Sequence, residues 1–442
     1  MPEGTYLFPD GFLWGSATAS HQVEGNNKNN NWYAWETQQG KIYQDQKAGL
    51  ACDWWGGKWK DDFDRASATG QNAHRLSIEW SRIQPEQSRW DESALETYRS
   101  MLRGLIDRNM TPMVTLHHFT DPLWIMEKGG WENEEIVSLF ETYIIKVVEA
   151  LKEYVTLWVT INEPNVYTHG GYLGGEFPPG KNDLKAAFFV MRNMLKGHAA
   201  AYHAIKKIQP QARVGLAHHY RGFEPAKPNF APDKWMASFL SRNFNDSFAI
   251  GAANGKFNFA MRKEYIPQAI NTQDFIGLNY YTREYITFKP FATKSMFYQG
   301  KYDPKSPLSE TGFIALEPKG FYQALKWCKA FNKPIIITEN GVEDSKNMIR
   351  TRYLYEHLHQ MWRAINYTWP IKGYFHWSLV DNFEWERGWS QRFGLWGLDV
   401  ETQTRLHRPA VDAYADLCKT NGISSESVKK YAPEIFDLLF PE

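Results

Sequence analysis

Short apolar runs rich in β-branched residues alternate along this chain with longer stretches in which apolar positions recur every three or four residues. The first pattern predicts buried strands and the second amphipathic helices. Strands are expected at the opening run within 12–25 and at 73–80, 112–118, 156–164, 213–219, 275–281, 333–341 and 371–378, with helices over 93–108, 134–154 and 193–208. Each strand–helix unit spans about 40 to 60 residues, the order expected of an α/β protein with a (β/α)8 barrel and elaborated strand-end loops. A Pro, Ser and Gly linker is absent, as is a solenoid-type repeat, so residues 1–442 are read as one catalytic barrel domain.

The run 333–341 is the sharpest of these strands. Ile335-Ile336-Ile337-Thr338 leads to Glu339, followed by Asn340-Gly341. A hairpin turn with a solvated glutamate is one reading of that ending. The other is a buried parallel strand delivering a carboxylate to the open rim of a barrel. Polar residues gather at the same end of the other strands: Gln22, Arg75, His118, Asn162-Glu163, Asn279, Tyr281 and Trp377. Two carboxylates, Glu163 and Glu339, therefore end strands four and seven. Such a pair suits acetal cleavage, where one carboxyl protonates the leaving oxygen and an ionised one faces the developing oxocarbenium ion. Arg75, if it reaches Glu339, is expected to lower that pKa, while burial and the neighbouring charge raise that of Glu163.

Charge narrows the partners. Fifty acidic and fifty basic residues cancel, which argues against nucleic acid or an anionic membrane. The 19 Trp, 23 Tyr and 27 Phe suit sugar C–H faces as well as cores. Cys52, Cys328 and Cys418 are too few and scattered for a disulfide framework, and residues 1–9 lack a basic-then-apolar leader, so a cytoplasmic protein is expected. The run of small residues before His21, Gln22 and Glu24 places these three as candidate site-lining groups, and 26–59 reads as an Asn- and Trp-rich loop inserted at a strand end. A metal-dependent hydrolase is the competing barrel chemistry. Neighbours on a strand face opposite ways, however, so His117-His118 and His218-His219 each offer one residue to the rim.

Thr160-Ile161-Asn162-Glu163-Pro164 and Ile337-Thr338-Glu339-Asn340-Gly341 resemble the acid/base and nucleophile motifs of the family 1 glycoside hydrolases, the retaining β-glucosidases and β-galactosidases. The stretch from Phe12 to Gly25 resembles that family's N-terminal signature, and Trp377-Ser378-Leu379-Val380-Asp381-Asn382-Phe383-Glu384-Trp385 its sugar-recognition loop. The resemblance implies a (β/α)8 barrel without metal or organic cofactor. It implies that Glu339 attacks the anomeric carbon and that Glu163 protonates the leaving group and then activates water. Gln22, His118, Asn162, Glu384 and Trp385 would bind glycone hydroxyls over a Trp377 platform, with Tyr281 and Arg75 holding the nucleophile and Asn279 supporting the rim. Glu384 in place of a phosphate clamp favours free sugars over 6-phosphosugars. Substrates are then small β-glycosides (cellobiose, other β-linked disaccharides, aryl β-glucosides), with a place in cellulose and polysaccharide degradation.

Three departures stand out. His118-Phe119-Thr120-Asp121-Pro122 replaces the usual His-Trp-Asp-Leu-Pro, His21 replaces a Tyr, and the segment around Phe313 does not align with the family's Trp-bearing aglycone rim. Gluco, galacto and fuco glycones, hydrolysis and transglycosylation, and monomer and homo-oligomer all stay open at this level. A sugar-binding protein without catalysis is disfavoured because both glutamates stand.

Overall fold

The computed structural model describes residues 4–292 and 296–441, so the first three positions of the N-terminal stretch, and the last residue of the 1–442 span, lie outside the described residues. Eight strands, β1 (Leu13–Ala17), β2 (Ala73–Ser77), β3 (Thr111–Thr115), β4 (Leu157–Asn162), β5 (Arg213–Pro225), β6 (Phe275–Phe288), β7 (Ile335–Asn340) and β8 (Ile371–Trp377), pair in sequence order, all parallel. Pairing of β8 with β1 closes the sheet into the expected barrel. Around it lie α1 (Trp59–Ala68), α2 (Glu92–Ile106), α3 (Ile136–Leu151), α4 (Leu184–Ile208), α5 (Ala231–Ser241), α6 (Ser247–Asn254), α7 (Pro318–Lys329), α8 (Arg350–Asn366) and α9 (Pro409–Thr420).

Local chemistry explains the elements. β4 and β7 are buried at every position because one face lines the barrel interior and the other meets helices, which is why their sequences are continuous apolar runs rather than alternations. α3 buries Phe140, Tyr143, Ile144, Val147, Val148 and Leu151, one stripe that packs on α4. Each such side chain contributes about 1.5–3 kcal/mol when taken fully out of water. The Asp91 carboxylate starts α2 by accepting from the Ser93 and Ala94 backbone N–H groups at 2.9 and 3.0 Å.

Several boundaries differ from the sequence reading. α4 begins at Leu184, not 193, because Asp183 caps it, accepting from Lys185 and Ala186 N–H at 2.8 and 3.1 Å. The loop over 26–59 contains a short helix, Asn31–Glu36, capped by Asn30 and anchored by the buried rings of Trp32 and Trp35. β5 and β6 run past their expected ends at 219 and 281. They leave the barrel as a paired ribbon in which Phe223 opposes Glu284 and Pro225 opposes Ile286, and the antiparallel strand Tyr298–Lys301 joins its edge. Burial in this ribbon is partial, so the hydrophobic signal fades while the backbone pairing continues.

The hairpin reading of Asn340-Gly341 fails. Asn340 is still within β7, its amide donating to the Tyr280 carbonyl at 2.7 Å and to Tyr353 Oη at 3.0 Å. A Cβ on Gly341 would lie 1.9 Å from the Trp377 carbonyl oxygen, so the glycine permits close approach of two strand ends.

Candidate active site

Glu163 and Glu339 line one pocket at the carboxyl rim of the barrel, 5 % and 3 % exposed. Glu163 is the residue after β4 and has a left-handed backbone, φ 44°, with Pro164 opening the helix that follows. Its N–H donates to the Ala217 carbonyl at 2.8 Å, which ties the turn to β5. The carboxylate oxygen Oε1 receives Asn279 Nδ2 at 2.8 Å and lies 2.9 Å from His219 Nδ1. Glu339 comes from β7. Its Oε1 accepts from Arg75 Nη1 and its Oε2 from the Tyr281 hydroxyl, both at 2.6 Å.

A buried lattice of hydrogen bonds joins the two carboxylates from beneath. Arg75, fully buried on β2, also donates to Asn162 Oδ1 at 2.7 Å, Thr115 Oγ1 at 2.9 Å and the Thr338 carbonyl at 3.2 Å. Asn279 donates to Asn162 Oδ1 at 3.1 Å and accepts from Thr338 Oγ1 at 2.6 Å. Asn162 in turn donates to His118 Nε2 at 3.0 Å, which places the His118 proton on Nδ1. Burial, with the Arg75 charge nearby, holds the His118 pKa well below its usual value, so the ring is neutral. His118 Nδ1 is buried without a protein partner, a donor available to a ligand.

The charge balance at Glu339 departs from expectation. Arg75 pulls its pKa down, as does the Tyr281 hydroxyl, but burial outweighs both and the Glu163 charge adds to the rise, pushing Glu339 up to about 7. Glu339 therefore keeps its proton to a higher pH than an ordinary carboxyl does. Glu384 is also driven well above the usual carboxylate range, by burial and then by the Glu386 and Glu339 charges.

The remaining predicted residues fall into two shells. Trp377, Glu384, Trp385, His118 and Tyr281 stand on the pocket wall with the carboxylates. The His118 ring lies nearly parallel to those of Trp377 and Trp385, centroids 5.9 and 6.0 Å away. Arg75, Asn162, Asn279 and Gln22 lie behind the wall, fully buried. Gln22 Nε2 donates to the Phe383 carbonyl at 2.9 Å, Asn382 Oδ1 at 3.0 Å and Glu384 Oε2 at 3.2 Å, while its Oε1 is left without a protein partner. The expectation that His21 and Glu24 line the site is corrected: His21 stacks behind Trp385 and pairs with Asn30, and Glu24 is bonded to Arg82 and Tyr98, because the short helix Ser20–Val23 turns both away.

Arg221, Phe177 and Phe393 line the pocket without having been singled out, and so do His219, named only as half of a histidine pair, and Phe119, named only as a departure from the family motif. His219 was recoverable, since it ends the barrel part of β5 while its neighbour His218 faces the helices and bonds Gln273. Likewise His117 bonds Asp121 while His118 enters the site. The unaligned segment near Phe313 does reach the rim, where Phe313 and Ile314 contribute to the wall and Arg387 lies over the Phe313 ring at 5.0 Å.

Comparison with known proteins matches residues 5–423 to the family model described as glycosyl hydrolase family 1. β-Glucosidase A of Thermotoga maritima is 32 % identical over 94 % of this chain and 98 % of its own. A β-glycosidase from Pyrococcus horikoshii superposes with a TM-score of 0.90 at 36 % identity, covering 97 % of this chain and 98 % of that one. The T. maritima β-glucosidase in complex with glucoimidazole superposes at 0.88 with 32 % identity, over 95 % of this chain and 100 % of that one.

Proposed function

The chain belongs to glycosyl hydrolase family 1, and from that premise we propose that it is a retaining β-glucosidase, releasing terminal non-reducing β-D-glucosyl residues through a glycosyl-enzyme on Glu339. The observation that carries this reading is the asymmetric support of the two carboxylates. Glu339 is held by a cation and a hydroxyl, which favour its ionised, nucleophilic form, whereas Glu163 is held by an amide and an imidazole on the side where the pocket opens toward β5.

In the proposed reaction Glu163 protonates the glycosidic oxygen as Glu339 attacks the anomeric carbon. Formation of the ester removes the Glu339 charge. Glu163, having given up its proton to the leaving oxygen, then takes the proton from water as the water attacks the ester in the second step. His118 Nδ1 on the pocket wall, with Gln22 Oε1 and the remaining Asn162 amide hydrogen just behind it, would offer hydrogen bonds to a polyol, and Trp377 would give it an aromatic face. Glu384 beside them is a carboxyl and not the cation a sugar phosphate would call for, which supports free glucosides: cellobiose, other β-linked disaccharides and aryl β-glucosides. β-Galactoside and β-fucoside turnover and transglycosylation belong to the same reading, as does a role in breaking down cellulose-derived and other polysaccharide fragments. Three buried free cysteines suit the reducing cytoplasm, and no helix among the described residues is long and apolar enough to cross a membrane.

A panel of nitrophenyl β-glucoside, β-galactoside, β-fucoside and 6-phospho-β-glucoside, with the anomer released followed by NMR, tests this. The β-anomer first and the glucoside among the best substrates are expected. First release of the α-anomer, or preference for the phosphosugar, overturns it.

A further inference from the structure

Where the β5–β6 ribbon leaves the barrel it forms, with α5, a second and larger cavity of about 740 Å³, against about 120 Å³ for the pocket that holds the carboxylates. A volume of that order is what a small-molecule site of roughly 300–1,000 Å³ requires. Its walls are apolar, built from Trp235, Phe239 and Leu240 of α5, Phe223 and Phe288 of the ribbon, and Phe244.

Its position relates it to the chemistry. A leaving group departs on the side of the carboxyl that protonates it, here Glu163. The first group on that side is His219, and the edge of its ring meets Phe244, 5.7 Å between centroids. Phe244 is already cavity wall, and Arg221 lines both spaces.

The charged, imidazole and amide groups in the walls are spent within the protein. Arg221 Nη2 is paired with Glu284 at 2.6 Å, and the two charges cancel. His169 bonds the Asn165 carbonyl at 2.8 Å, and burial pushes its pKa down to about 4, so it carries no charge at neutrality. Asn243 donates to the Phe239 carbonyl and accepts from the Ala260 N–H, both at 2.8 Å. A second sugar would find few partners there and a charged aglycone no counterion. Arg221 Nε is buried without a partner, on a residue that lines both spaces. That is where a polar link between sugar and chain would lie. Trp235 and Met261, 55 % and 82 % exposed, extend the apolar surface to the cavity mouth.

We propose that this cavity is the aglycone site for β-glucosides of long-chain alcohols, with the sugar between Glu163 and Glu339 and the alkyl chain laid between α5 and the outer β5–β6 ribbon. The proposal rests on the β-glucosidase reading above and names the substrate class of that same site.

Methyl, butyl, hexyl and octyl β-D-glucosides below micelle-forming concentrations, with nitrophenyl β-glucoside as control, test it. Each methylene moved from water into the cavity should raise kcat/KM about fourfold, so octyl exceeds butyl by on the order of 10²-fold. Trp235→Asp and Leu240→Asp should flatten that series to within about threefold while nitrophenyl turnover, which also reports folding, stays within about twofold. A flat series in the unmodified enzyme with nitrophenyl turnover intact overturns the proposal alone. Loss of turnover on every glucoside removes the glucosidase reading and the proposal with it. A flat series together with sedimentation on phosphatidylcholine vesicles, or with a dimer that Trp235→Asp dissociates, overturns it in favour of a membrane or a second copy as the occupant.

Discussion

Around Glu339 nearly every polar atom has a partner fixed by the barrel: Arg75 spends its donors on Glu339, Asn162, Thr115 and the Thr338 carbonyl, and Asn279 spans Thr338, Asn162 and Glu163. Past His219 on β5 the plan inverts, and the ribbon with α5 presents half-buried rings around an open cavity. The inner region is dry and costly to build, because an unpaired buried donor or charge costs about 1–3 kcal/mol or more. In return it orders charges without reorganisation when a reaction proceeds. The outer region needs only shape and apolarity, so its substitutions carry small penalties. On the proposed reading the inner region would govern whether the bond breaks, and the outer surface which leaving groups are held.

Glu339→Ala is the largest expected break in that contrast. Turnover of nitrophenyl β-glucoside should fall by on the order of 10⁵-fold or more while the circular dichroism spectrum is unchanged, and near-normal turnover would remove the nucleophile assignment. Glu163→Ala should slow alkyl glucosides by about 10²–10⁴-fold and dinitrophenyl glucoside far less, since an activated phenolate leaves without a proton; equal slowing of both counts against the acid role. Tyr281→Phe removes a hydrogen bond to a charged oxygen, worth about 1.5–3 kcal/mol, so kcat/KM should drop roughly 10–150-fold. Because that bond favours ionised Glu339, its loss raises the Glu339 pKa further, and the acid limb of the kcat/KM profile should move to higher pH.

Glu339→Gln probes what the inner region costs. The native carboxyl is raised to about 7 from an ordinary value near 4.5, so between those pH values the native state holds a proton that the unfolded chain has released. Stability attributable to Glu339 is thus full below about pH 4.5 and lost as pH rises toward 7. The variant, lacking this group, should gain Tm over the parent at pH 7.5 and little at pH 4.5, by scanning calorimetry; an equal difference at both would refute the shift. The smallest effect belongs to the outer surface, where Met261→Ser should leave nitrophenyl kcat within about twofold and Tm within a degree or two.

Much of this was legible in the chain. Ile335-Ile336-Ile337 announces a strand buried on both faces, and in an eight-unit α/β order such a strand can present Glu339 only at the rim. The motif residues around Glu163 and Glu339 carry the family assignment without coordinates. By contrast, the length of β5 and β6 was not legible past 219 and 281, because a half-exposed ribbon loses the periodic signal while keeping its backbone pairing. His21 and Glu24 were misplaced for a local reason, a four-residue helix that turns them from the pocket.

By itself the sequence determined the strand–helix alternation, the two catalytic-type carboxylates and the aromatic strand ends, since burial periodicity and residue chemistry are written locally. Only the tertiary structure decided that Arg75 reaches a carboxylate 264 positions away, that burial outweighs Arg75 in setting the Glu339 proton, and that an apolar cavity opens beside His219. Those outcomes depend on register around a closed barrel and on how much water each group loses, quantities that arise between elements and have no counterpart in any single stretch of chain.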